Sequence, residues 1–179
     1  MNPFDKNAVL KKLVSHDGIT DSLTGLMTFQ SFQRSAIREL AQIMRNEGSI
    51  NLFLVSLAEE STLKPNKLLI QPNRDISALD ENEIVTIADR VLQSSNTLKN
   101  EFRLNDLVSR YTFVDFLILN SGDFDVISIK IRKIAKRLSA LSAGIRIKHA
   151  DLIHFPSKHQ QLAETIHKSI ASLERQIVE

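Results

Sequence analysis

The chain has 179 residues, 42% of them hydrophobic and 25% charged, with a net charge of +2 and no cysteine. That length suits one domain with a core of its own. The small net charge argues against nucleic acid as a partner, and the missing thiols exclude disulfides, thiolate metal sites and cysteine nucleophiles. No apolar run approaches the roughly 20 residues that span a bilayer. The N-terminus MNPFDKNAVLKKL has no apolar signal core. A cytoplasmic location without membrane insertion is expected.

Residues 4–14 pattern as a short amphipathic helix, with Phe4, Val9, Leu10 and Leu13 apolar. Residues 1–16 read as a linker helix and 17–179 as the domain. HDGITDSLTG, 16–25, is rich in turn and capping residues. Helix is predicted from Thr28, as N-cap, to Asn46, since Phe32, Ala36, Leu40 and Ile43 recur at three and four. INLFLVSL, 50–57, is a strand-length apolar run of the kind buried on both faces. A long connection with two prolines follows. Asp80 then caps a helix predicted to reach about Ser95, with Ile84, Ile87, Ala88 and Val91 inward.

Two strands are predicted at 107–111 and 113–119, meeting near Thr112, and Asn120-Ser121-Gly122-Asp123 forms a turn. The tip Tyr111-Thr112-Phe113-Val114 lacks the Gly, Pro or Asn that hairpin turns favour. A helix from about Phe124 to Leu141 carries Ile127, Ile131, Ile134 and Leu138 on one face. A strand at 143–149 and a helix from Ser157 to about Gln176 complete the chain. This order implies an α/β fold, a mixed central sheet of about five strands flanked by helices.

Two stretches carry a resemblance. Asp21-Ser22-Leu23-Thr24-Gly25-Leu26 matches the D-x-L-T-G-L motif of GGDEF domains, and Phe32 matches the aromatic that follows it. Arg103-Leu104-Asn105-Asp106, running into Leu107-Val108-Ser109-Arg110, resembles the family's R-x-x-D-L-V-x-R segment before its signature hairpin. The chain therefore resembles a GGDEF domain, the fold of bacterial diguanylate cyclases, over about residues 17–176. The family joins two GTP molecules into cyclic di-GMP, one bound by each partner of a dimer, with a divalent ion held by carboxylates.

At the positions that do this chemistry the sequence departs. The signature becomes Thr112-Phe113-Val114-Asp115-Phe116: both glycines are lost, the third-position acid is Val114, and Asp115 and Phe116 remain. The aspartates of the first strand fall on Ser56 and Ala58, with Glu59 and Glu60 just beyond. Glu81 is the nearest substitute for the guanine-contacting acid, and the lysine of the final helix falls near Glu174-Arg175. Removing one stabilising group from such a centre commonly costs about 10²–10³ in rate. The resemblance thus implies a degenerate, catalytically inactive domain, with no catalytic residue, no metal site and no cofactor. It also implies an apolar plug of Phe113 or Val114 in the substrate cleft, on a tip looser or longer than a glycine turn.

Arg103 and Asp106 survive. In the family this R-x-x-D binds the product, so the resemblance implies a cyclic di-GMP receptor. A planar guanidinium suits phosphate or guanine, and a carboxylate accepts from guanine N–H groups. Lys130, Arg132 or Lys133 are candidates for a second cation. The alternative for this pair is a surface ion pair with little energetic weight. At the level of function the alternatives are a protein-interaction or homodimer module, with the tip and the N-terminal helix as contacts, and a cyclase with rebuilt ligands. Arg110 reads as a structural arginine flanking the hairpin, and Asp115 as a buried hydrogen-bonded acid or an edge residue. The histidines, with His159 and His167 on one helix face, lack a third clustered ligand. KIRKIAKR, 130–137, reads as the polar side of an amphipathic helix.

Overall fold

The computed structural model describes residues 11, 15–45, 50–57, 81–103, 105–140, 146–151 and 159–175, with the backbone alone at 44, 83, 146–151, 159–161, 174 and 175. The predicted helix at 4–14 lies almost entirely outside them, as do Ala58, Glu59, Glu60, Asp80 and Ser157.

Helix α1, Phe29–Arg45, buries Phe32, Ala36, Leu40 and Ile43, as their spacing requires. Thr28 caps it: its Oγ1 accepts from Ser31 N at 3.2 Å, and its carbonyl accepts from Phe32 N at 2.9 Å. Strand β1, Ile50–Ser56, is buried at all seven positions. Helix α2, Glu81–Glu101, runs six residues beyond the predicted end at Ser95. Ser94 and Ser95, at the predicted end, are both buried, and Leu98 continues the apolar stripe beyond them. The Ser95 hydroxyl donates to the Leu92 carbonyl at 2.8 Å.

Strand β2 is Leu107–Arg110 and β3 is Asp115–Ser121, so Phe113 and Val114 belong to the loop between them rather than to a strand. Helix α3, Phe124–Ser139, starts on Asp123, whose carboxylate accepts from Asp125 N and Val126 N. It buries Ile127, Ile131, Ile134 and Leu138. Strand β4, Arg146–Asp151, and helix α4, His159–Arg175, complete the order.

The sheet order is β2-β3-β1-β4, four strands among the described residues where about five are expected. All three pairings are antiparallel. The mixed character is limited to one parallel bridge from Met27 to Ser109 on the outer side of β2. Periodicity alone cannot set strand direction, which is fixed by how the connections cross the sheet.

Pleating divides the sheet into two faces. Leu52, Leu54, Leu117 and Leu119 pack with α1 and α4. Phe53, Val55, Phe116 and Ile118 pack with α2 and α3. The chain is a helix–sheet–helix sandwich with a core on each side. No helix among the described residues is long and apolar enough to cross a membrane.

Candidate ligand site and signature hairpin

The β2–β3 hairpin carries both features singled out in the sequence, one at each end. Arg103–Asp106 precedes β2 at one end of the sheet, where Leu107 pairs with Leu119. The tip, 111–114, lies at the other end, where Ser56 stands opposite Asp115.

At the tip, Arg110 organises the loop. It is buried to 7% exposure. Its Nε donates to the Thr112 carbonyl at 3.2 Å, Nη2 to the Phe113 carbonyl at 3.2 Å, and Nη1 to Asp21 Oδ2 at 2.9 Å. The guanidinium also lies 5.7 Å from the centre of the Phe113 ring. Burial pushes the Arg110 pKa down, and the Asp21 charge opposes that shift. Asp21 in turn holds its own loop: Oδ1 accepts from Thr24 N at 2.8 Å and Thr24 Oγ1 at 2.6 Å. The structural reading of Arg110 is thus met, with the D-x-L-T-G-L motif as its partner.

Glycine is absent from the tip because the turn is held from outside. Tyr111 N and Thr112 N both donate to the Asp115 carbonyl, at 2.8 and 3.3 Å. Thr112 Oγ1 donates to Asp115 Oδ2 at 2.5 Å. Val114 is half-buried against the core shared by α2 and α3, and its carbonyl accepts from Leu57 N at 3.0 Å. Phe113 is also half-buried. The tip is fastened rather than loose, and both apolar side chains turn partly inward.

Asp115 is buried, as one of the two readings had it. Ser56 and Asp115 face each other across β1 and β3. They supply one carboxylate, already bonded to Thr112 Oγ1. That donor set does not fit a divalent ion, which takes several oxygen ligands. Among the described residues no three acids or histidines come together as a metal site. Glu81 is the exposed first residue of α2, far in sequence from any such group.

At the other end, Asp106 folds back on its own turn. Oδ2 accepts from Arg103 N at 2.8 Å, and Asp106 N donates to the Arg103 carbonyl at 3.0 Å. Oδ1 accepts from the Asn120 side-chain amide. The Arg103 guanidinium is exposed and has no ion-pair partner among the described residues, so the expected alternative of an Arg103–Asp106 side-chain ion pair is not formed. Lys130 Nζ lies 4.4 Å over the ring of Phe102, the residue before Arg103. Of the three second-cation candidates, Lys130 is therefore beside this turn, whereas Arg132 and Lys133 are exposed on α3. The helix pair beside it is tied by an Arg137–Glu101 ion pair.

Sequence reading missed Asn120. Its bond to Asp106 spans 14 residues and depends on strand register, which leaves no periodic signal. Among the described residues the histidines form no metal site, and His167 shares a hydrogen bond with Gln33 at 2.9 Å.

No protein-family model and no curated protein matches the sequence. Solved structures do match. The GGDEF domain of DgcB from Caulobacter crescentus, in complex with cyclic di-GMP, superposes with a TM-score of 0.61 at 14% identity, over 90% of this chain and 93% of that one. The FimX GGDEF domain from Pseudomonas aeruginosa gives 0.60 at 16% identity, over 87% and 93%. The diguanylate cyclase SiaD from Pseudomonas aeruginosa, in complex with its activator SiaC, gives 0.59 at 16% identity, over 94% and 61%. The chain has the GGDEF-domain fold.

Proposed function

We propose that this is a non-catalytic GGDEF-fold signalling domain that binds cyclic di-GMP at the Arg103–Asp106 turn. The carrying observation is the division of labour in that turn. Asp106 is fixed by Arg103 N and Asn120, while the Arg103 guanidinium is left exposed. Each carboxylate oxygen retains a lone pair after one bond, so Asp106 can still accept from a guanine edge. Arg103 offers a planar fork to phosphate or to guanine O6 and N7. Lys130, held against Phe102, adds a second cation nearby. The complex of the similar DgcB domain with cyclic di-GMP supports the choice of ligand.

Loss of cyclase activity is the second half of the proposal. Thr112 and Phe113 stand where the family's glycines would admit a nucleotide, and Val114 stands where its third-position acid would. Ser56, opposite Asp115, takes the place of a first-strand aspartate, so Asp115 faces no second acid there.

Calorimetric titration with cyclic di-GMP, and separately with GTP and magnesium, tests both halves. Saturable cyclic di-GMP binding that is lost in Arg103→Ala supports the receptor. Absence of binding to the wild-type chain overturns it. Turnover of GTP overturns the assignment as non-catalytic.

A further inference from the structure

Helix α3 has more apolar surface than its core requires. Its inward stripe is complete, with Ile127, Ile131, Ile134 and Leu138 all buried. Yet among the described residues five large apolar side chains are exposed, and three of them, Phe124, Val126 and Ile129, lie in its first six residues. Val126 is 71% and Ile129 55% exposed. Scattered exposed apolar residues are ordinary; a cluster is a mark of an interface.

The cluster continues into charge along one line. Val126, Ile129, Lys133 and Lys136 are spaced three, four and three, so they form one stripe, about 15 Å long, on the face opposite the core. This is the a/d spacing by which one helix seats against another. Lys133 and Lys136 are exposed and have no ion-pair partner among the described residues. The KIRKIAKR run is thus half of a composite face, apolar at its start and cationic at its end.

We infer that the outward face of α3 docks an acidic amphipathic helix of a partner protein. Its apolar residues cover Val126 and Ile129, and its carboxylates meet Lys133 and Lys136. Charge selects this occupant. Helix α3 carries five basic residues and one acid, Asp125, so pairing with a second copy of itself is repulsive. A lipid surface is the same along its length and favours apolar residues along the whole stripe. Here they stop after Ile129.

The test uses the full chain and two synthetic helical peptides. Both carry leucines at two positions three apart. One carries glutamates at the next two a/d positions, the other lysines. The inference expects the glutamate peptide to bind at least about tenfold more tightly than the lysine peptide, a difference of roughly 1.4 kcal/mol. Val126→Ser/Ile129→Ser should abolish binding of the glutamate peptide. Lys133→Glu/Lys136→Glu should reverse the preference. All four positions are on the exposed face, and circular dichroism of each variant checks that the fold is retained. Equal binding of both peptides, or unchanged binding in Val126→Ser/Ile129→Ser, overturns the inference. So does association with vesicles of phosphatidylcholine and phosphatidylserine in equal parts when neither peptide binds, or a dimer by sedimentation that Val126→Ser/Ile129→Ser dissolves.

Discussion

Arg110 and Asp21 meet at 2.9 Å across 89 positions of sequence, and both side chains are buried. This contact locks the loop before α1 to the hairpin tip. Arg110 satisfies three acceptors at once, so it works as a fork and not only as a charge. Breaking a buried pair from one side costs about 3–5 kcal/mol, because the surviving charge is left uncompensated. Arg110→Ala and Asp21→Ala should each lower the unfolding free energy, read from urea denaturation, by that order. The double variant should lose clearly less than the two together. Additive losses would show that the pair is not coupled. Arg110→Lys should rescue little, since one ammonium cannot reach all three acceptors.

Gly25 sits at φ +64, in the left-handed region, and a Cβ there would lie 3.1 Å from Lys99 Nζ. Lys99 donates to the Thr24 carbonyl at that spot. The lysine tip can shift, so the backbone penalty dominates, about 1–2 kcal/mol. Gly25→Ala should show that loss in chemical denaturation, and Gly25→Asn a smaller one, since Asn tolerates this conformation. Equal stability of Gly25→Ala and wild type would refute a strained turn.

Thr112 supplies the hydroxyl that bonds buried Asp115. Thr112→Val keeps the shape and removes the donor. Leaving a buried acceptor with one bond fewer costs about 1–3 kcal/mol. Thr112→Ser should restore most of it. If Thr112→Val melts with wild type, the tip is not fastened through this bond.

Asp17 accepts from Thr20 N at 2.6 Å, Ile19 N at 2.8 Å and the Thr20 hydroxyl. The Thr20 and Ile19 amides, ahead of the hydroxyl, hold its carboxyl below the ordinary 3.8. A folded-state pKa that is depressed stabilises the loop above the unfolded value, and that support is lost as pH falls through the folded value. NMR titration should place the Asp17 midpoint below 3.8, and Thr20→Val should raise it. A midpoint at or above 3.8 would contradict the loop geometry.

The helices and strands were legible wherever one apolar face repeats, as at Phe32, Ala36 and Leu40 or at Ile127, Ile131 and Ile134. Legibility failed where small polar residues were buried. The second helix reads as ending near Ser95, yet it runs on to Glu101 with Leu98 buried. The candidate site was half legible. Arg103 and Asp106 stand out as a motif, and Arg110 as a structural arginine. Their partners, Asn120 and Asp21, are chosen by strand register and loop closure, which no local pattern encodes. Strand direction was likewise set by tertiary crossings.

The parallel bridge at Met27 has a consequence for the sheet's border. Met27 N donates to the Val108 carbonyl at 3.3 Å, and its carbonyl accepts from Arg110 N at 3.1 Å. Those two bonds occupy the outward groups of β2 that would otherwise template a foreign strand. At the other border of the described sheet, β4 reads RIKHAD, with charged residues at both ends and in the middle. Charge on a border strand discourages edge-to-edge growth. One border of the described sheet is closed by a bridging residue and the other is guarded by charge, so its apolar interior is kept from propagating between molecules.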